Sequence, residues 1–272
     1  MKVFAIKDET DITNKTLAWL IYYENAKRFY IELPDDADFW QTPLFLSSFL
    51  EKGEKTLNSY WSQMWVNQRI VPIDRQNLGQ ILKDNGLSEY DPYELLILAN
   101  GKCSQDDYYI EEISNDKLPK ELIERFDRKI EDVVPLTDCN VLVFFLNGIV
   151  KRCDLKDYFK KDSRFISLLT DENLYNNMMV CTGGYGIYWT EDLEILSEDL
   201  LKIGVDVPLS LDDFLSFIKQ RVLSSGEVIE LLNCSRQNLD DLVHRGKLHP
   251  IKVTTKNKLY LKSEVEQRIK KY

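Results

Sequence analysis

The sequence predicts an α+β protein assembled from several small units. Three observations carry that reading: apolar runs alternate between strand-like and helical periods, an Asn-Gly pair joins two β-branched runs, and the charge changes sign near residue 222. With 272 residues, 44% hydrophobic and 29% charged, the chain is too apolar for a disordered tail. A chain of this length buries roughly 70 to 75% of its unfolded surface, so folding needs neither a disulfide nor a metal. The five cysteines form no CxxC pair and are odd in number, which argues against a secreted disulfide framework or a zinc finger and for a reducing cytoplasm. Charge lies within the first eight residues, and no stretch approaches the ~18 apolar residues of a membrane span; neither a secretory signal nor a membrane partner is expected.

The first unit, residues 1–116, opens with a strand over 2–6 and a hairpin of 17–23 with 28–33 about Glu24-Asn25-Ala26. Helical signals follow: 43–50 closed by Gly53, 56–70 with Leu57, Tyr60, Trp61, Met64 and Trp65 at spacings of three and four, and 76–85 ended by Gly86. Asp91 caps a further helix with Pro92 at its first position. Phe39, Trp40, Trp61 and Trp65 are expected in a core. Asp106 and Asp107 are expected in a solvated loop leading to a strand over 108–113, because no third ligand stands at a metal-binding spacing.

The second unit, 117–205, starts with a charged surface helix over 117–129. Strands over 140–146 and 149–154 flank Asn147-Gly148, and a short helix begins at Leu155. Strands over 177–181 and 186–189 are joined by Thr182-Gly183-Gly184-Tyr185, which reads as a plain turn: it lacks the Lys-Ser/Thr of a phosphate loop and opens no helix. A helix is expected over 193–203, then a helical linker over 206–221 with its helix at 211–218.

The last unit, 222–272, carries ten lysines and arginines against six carboxylates, a balance of +4, whereas the other 221 residues carry 25 against 39, a balance of −14. A basic module on an acidic body is the pattern of a chain that meets an anion at one end. Ser224 or Ser225 can cap a helix that turns Val228, Leu231 and Leu232 inward. After Asn233-Cys234, Ser235 caps a second helix that buries Leu239, Leu242 and Val243 and stops at Gly246. Two short helices across so tight a turn form a helix-turn-helix. Strands over 251–253 and 259–261 then flank the polar, basic run of residues 254–258, and Ser263 with Glu266 forms a capping box for a helix over 264–271.

This layout, with EVIELLNCSRQNLDDLV, RGKLHP and KSEV, resembles the winged helix-turn-helix of the excisionase and MerR type over residues 223–269. The resemblance implies that Ser235, Arg236, Gln237 and Asn238 read base edges in a groove of double-stranded DNA. His244, Arg245, Lys247, Lys252, Thr255, Lys256 and Lys258 would lie along the backbone. Asp240 and Asp241 depart from the pattern, since carboxylates on a reading helix repel phosphate unless they pair with His244 and Arg245 four residues on. Residues 130–203, with Asn147-Gly148, Asp154-Leu155 and Gly186-Ile187-Tyr188-Trp189, are similar to a small bacterial domain family of unknown function whose members are sometimes joined to helix-turn-helix domains. The element order around Ile31-Glu32-Leu33-Pro34 resembles a noncatalytic N-terminal subdomain of HipA-type toxin kinases.

Both histidines, His244 and His249, fall in the last unit, so the acidic body offers no Ser-His-Asp or Cys-His arrangement; no catalytic residue, cofactor or metal is expected. The expectation is a nonenzymatic, sequence-specific transcriptional regulator of bacterial or phage type, a homodimer whose acidic modules serve dimerisation, effector sensing or a protein partner. The alternative is an antitoxin-like or phage-encoded adaptor whose winged module docks a protein.

Overall fold

A computed structural model describes residues 1–190 and 192–269, the side chains of Gln267 and Ile269 excepted. It mixes helix and sheet, 39% to 25%, in an α+β arrangement. The chain divides into two compact units, Met1–Asn147 with Lys151–Val205, and Gly148–Val150 with Asp206–Tyr272.

The larger unit begins with β1 (Lys2–Asp8), β2 (Ala18–Tyr23) and β3 (Arg28–Glu32), followed by α1 (Leu44–Glu51), β4 (Thr56–Leu57), α2 (Ser59–Asn67), α3 (Leu78–Asp84), α4 (Pro92–Leu98) and β5 (Tyr108–Ile113). The five strands form one sheet in the order β4-β3-β2-β1-β5, and the expected hairpin pairs Tyr23 with Arg28. Side chains alternate across it. Phe4, Ile6, Leu20, Phe29 and Ile31 join Leu46, Trp65 and Leu96 of the helices in one core, while Val3, Trp19, Ile21 and Tyr30 face the other way. That second face is covered by Leu122 of α5 (Lys120–Asp127), Cys181 and Tyr185, whose ring stacks on Tyr30 at 3.8 Å. Burial on both faces explains why β2 reads as an unbroken apolar run. Residues on both sides of position 117 thus share one apolar layer.

The chain continues with β6 (Ile130–Pro135), β7 (Asn140–Phe145), β8 (Val150–Asp154), α6 (Lys156–Lys161), α7 (Glu172–Asn176), β9 (Met179–Val180), β10 (Gly186–Thr190), β11 (Leu193–Leu196), α8 (Ser197–Ile203) and β12 (Val205–Asp206). β6, β7 and β8 are neighbours in one sheet, and β9, β10 and β11 in another. Gly148 supplies the left-handed φ of +81° that the Asn-Gly connection requires. The Thr182–Gly184 segment is a turn between strands kinked at Gly183, with φ positive at both glycines, and a Cβ on Gly183 would strike the Tyr23 ring.

Several expectations are corrected. Residues 56–70 are not one helix: Thr56 and Leu57 pair with β3, and α2 starts only after Asn58, whose side chain accepts from the Trp61 amide at 3.1 Å. Residues 193–203 split into β11 and α8, because pairing with β10 overrides local helical preference. Trp65 is fully buried, but Trp40 is 89% exposed, and Phe39 and Trp61 stand about two-fifths exposed. Asp106 is no solvated loop residue: it accepts from Arg69 Nη2 at 2.6 Å, and that guanidinium lies 3.8 Å over the buried Trp65 ring.

The smaller unit contains α9 (Leu211–Arg221), β13 (Val222–Ser224), α10 (Ser225–Leu232), α11 (Arg236–His244), β14 (Lys252–Val253), β15 (Lys258–Leu261) and α12 (Lys262–Ile269). Its strands run in the order β13-β15-β14, with Leu223 opposite Tyr260 and Val253 opposite Lys258. Val228, Leu239, Leu248, Tyr260 and Val265 make the core. Leu231, expected inward, is 40% exposed, because Val228, Ile229 and Leu232 form the covered face of α10. α12 begins at Lys262, so Ser263 lies inside the helix instead of capping it, and Glu266 faces Arg221 at 3.7 Å and Lys262 at 3.9 Å. The last two positions of the helix expected over 264–271 lie outside the described residues.

Candidate nucleic-acid interface

Two short helices are set at a tight turn by their caps. Ser224 accepts from the Glu227 amide while Glu227 Oε2 accepts from the Ser224 amide at 2.7 Å, a reciprocal box that fixes where α10 begins. α10 ends on Asn233, held at φ +46°, and Ser235 then accepts from the Asn238 amide at 3.2 Å to start α11. Leu239 is buried and Leu242 and Val243 half-buried against the core, so the opposite side of α11 is solvent-facing.

That outward side carries the residues singled out by sequence. Ser235, Arg236, Gln237, Asn238, His244 and Arg245 are all exposed, and the side chains of Arg236, Gln237 and Asn238 carry no hydrogen bond or ion pair among the described residues. At 100° per residue, Gln237, Asp240, Asp241 and His244 form its central line, with Arg236 and Asn238 at its edges. Lys247, Lys252, Thr255 and Lys256 are exposed and likewise unpaired among the described residues; Lys252 stands on β14, and Thr255 and Lys256 in the turn closed by Thr254 and Asn257, where the Thr254 amide donates to the Asn257 carbonyl at 2.8 Å.

Lys258 differs from the other lysines. Its Nζ lies 2.9 Å from Asp240 Oδ1, joining β15 to the outward line of α11. The hydrogen bond from Lys258 holds the Asp240 carboxyl below the usual carboxylate range and raises Lys258 in turn. Asp240 therefore pairs with Lys258, not with His244, because the strand brings an ammonium closer than the next helical turn does. Asp241 pairs with Arg245 as expected, at 3.8 Å on the surface. Sequence spacing could not reveal the first pair, whose members lie 18 residues apart.

His249 was not among the expected site residues; Glu264 Oε1 accepts from its backbone amide at 3.1 Å and lies 2.8 Å from its Nδ1, tying the segment after Lys247 to α12.

In the larger unit a buried ionic cluster surrounds Glu32, whose side chain is wholly covered. Lys129 Nζ donates to it at 2.7 Å, Arg125 Nη1 at 3.0 Å and Thr56 Oγ1 at 2.8 Å. The Lys129 ammonium also sits 3.7 Å over the Tyr185 ring. Burial by itself would lower Arg125, but Glu32 and Glu121 more than offset it and its pKa is raised. A cleft of about 330 Å³ opens beside this cluster, and its rim alternates Lys55, Arg128 and Lys202 with Asp35, Glu121, Glu124 and Glu198. Its charges compensate one another, as in a structural ion network. A glutamate directly after the apolar Phe29-Tyr30-Ile31 run was the sequence signal for it.

No family model, no curated protein and no solved structure matches the chain. Among the described residues, no helix is long and apolar enough to cross a membrane, and no three His, Cys, Asp or Glu side chains are gathered as a metal site would gather them.

Proposed function

We propose that residues 222–272 form a winged helix-turn-helix, and that the protein is a sequence-specific DNA-binding regulator without enzymatic activity. One observation carries the reading: among the described residues, the side chains of Arg236, Gln237 and Asn238 stand exposed and unbonded at the N-terminal edge of α11, beside a basic hairpin with Lys252 and Lys256 unpaired. Arginine, glutamine and asparagine present donor and acceptor pairs that match guanine and adenine edges in the major groove. Lysines on the hairpin supply sequence-independent attraction to phosphate, which provides most of the affinity and all of its salt dependence. The acidic body, at −14, repels nucleic acid and so discourages binding by anything but the basic module. A dimer on paired half-sites follows from the usual symmetry of such regulators. The compartment proposed is the cytoplasm, on the five free cysteines.

A gel-shift titration of genomic fragments at two salt concentrations tests the reading. Retention of particular fragments, weakening as salt rises, is expected; no retained fragment at low salt overturns it. Arg236→Ala is expected to cost about 1 to 3 kcal/mol at the cognate site and to relax choice at one base. Lys256→Ala lowers affinity evenly across sequences and flattens the salt slope.

A second reading, a protein-docking adaptor, is favoured by the carboxylates Asp240 and Asp241 on the outward line of α11 and by Ile251 and Val253, 51% and 62% exposed beside the hairpin. A stoichiometric protein partner that survives nuclease treatment, in a preparation that retains no DNA fragment, supports the adaptor.

A further inference from the structure

α9 has the composition of a packed helix and no buried residue. Leu211, Leu215 and Ile218, spaced four and three, fall within roughly 60° of arc on one side. Leu215 is 42% and Ile218 39% exposed, and Leu211 is half-covered. The neighbouring edge toward Phe214 and Arg221 is turned to its own module: both are half-buried, and Arg221 lies 3.7 Å from Glu266 of α12. The other edge holds Asp212 and Lys219, seven residues apart and so one above the other. Both are exposed, and neither carries a hydrogen bond or ion pair among the described residues. The remaining acid is already engaged, since Asp213 Oδ2 accepts from the Ser210 amide at 3.0 Å in the capping box that starts the helix.

We propose that α9 is a self-association helix, through which a second copy of this chain pairs antiparallel by its Leu211, Leu215 and Ile218 stripe. The charges select that occupant and that direction. A four-three stripe places Asp212 and Lys219 on one flank of the seam, and in an antiparallel two-fold pair each flank meets its own counterpart. With the axis passing between Leu215 and Ser216, Asp212 of each copy faces Lys219 of the other, so two complementary pairs form at once. Parallel pairing would set Asp212 against the opposite flank at the level of Phe214, which offers it no counter-charge. The helix is about 16 Å long, so the seam falls well below a standard interface and the dimer dissociates on dilution.

Sedimentation equilibrium of the full chain over a concentration series, without nucleic acid, tests the proposal. The wild type is expected to shift reversibly from monomer to dimer. Asp212→Lys sets two lysines against two, and Lys219→Asp two aspartates against two; each is expected to weaken the dimer by about tenfold. The double variant D212K/K219D restores wild-type association, and an equimolar mixture of the two single variants associates more tightly than either alone. Every altered side chain is exposed, so circular dichroism should be unchanged. A chain that stays monomeric up to several hundred micromolar overturns the proposal, as do single variants with undiminished association or a double variant that fails to restore it. The proposal bears on the DNA-binding reading only through the dimer, and the two fail separately: one is read by sedimentation and the other by fragment retention.

Discussion

Asp240→Asn is the substitution whose sign is least intuitive, since it alters the α11 face without replacing a cation. In the wild type, Asp240 holds Lys258 at 2.9 Å, with the two side chains 59% and 33% exposed. A pair so open to water is strongly screened and adds little to stability, so losing it leaves the module folded. Two effects then favour DNA. Removing one carboxylate from a face that meets phosphates relieves like-charge repulsion, by about threefold in affinity across solvent. Lys258, released, can reach a phosphate of its own and steepen the slope of log affinity against log salt by about 0.9. Between roughly 200 and 50 mM salt that slope adds about 3.5-fold, for a combined gain of about tenfold at the lower concentration. Fluorescence anisotropy with a retained fragment, at four or more salt concentrations, measures both. Affinity that is unchanged or weaker, with the slope unaltered, refutes the proposed use of this face. Lys258→Ala should flatten the slope less than Lys256→Ala, because Lys258 starts out occupied.

Other consequences concern the scaffold. Glu32→Gln leaves the Lys129 ammonium and the Arg125 guanidinium buried without their shared counter-charge and should lower the stability of the larger unit by about 3 to 5 kcal/mol in urea titration; a loss below 1 kcal/mol would show the cluster to be solvated. Leu239→Ala empties a position at the centre of the small core and should cost about 2 to 5 kcal/mol, read as early melting of the smaller unit. Glu194 is half-buried with the Cys181 thiol donating to it at 3.3 Å, and burial raises its carboxyl above the ordinary 4.5 despite that bond. The folded state then binds the proton more tightly than the unfolded state, so this group's contribution is fully present below pH 4.5 and is lost as pH rises through the raised value. Glu194→Gln should accordingly raise the melting temperature more at pH 7 than at pH 4; an equal or reversed difference would contradict the burial argument.

Local chemistry made much of the architecture legible in advance. The hairpin of β2 and β3, the Asn147-Gly148 turn, the Asp91 cap with Pro92, and the boundaries of α10 and α11 all follow from short-range signals: β-branched runs, a residue pair suited to positive φ, and side chains that satisfy the first amides of a helix. The candidate site is a similar case, because Ser235 to Asn238 are consecutive and their exposure follows from the burial of Leu239, Leu242 and Val243. What escaped was nonlocal. β11 and β4 exist because a partner strand waits for them, and β13 is part of a sheet only through Tyr260 and its neighbours. Trp40 carries the hydrophobicity of a core residue but stands 89% exposed.

The sequence by itself determined the alternation of strands and helices, the caps, and the concentration of positive charge after residue 222, since each depends on neighbours within about four positions or on a plain sum of charges. Tertiary structure alone decided which charges are spent. It joined Lys258 to Asp240 across 18 residues and Lys129 to Glu32 across 97, while leaving Arg236, Lys252, Lys256, Asp212 and Lys219 without an ion pair among the described residues. Ion pairing depends on separation in space, and chain distance carries little information about that once a sheet has folded back upon itself.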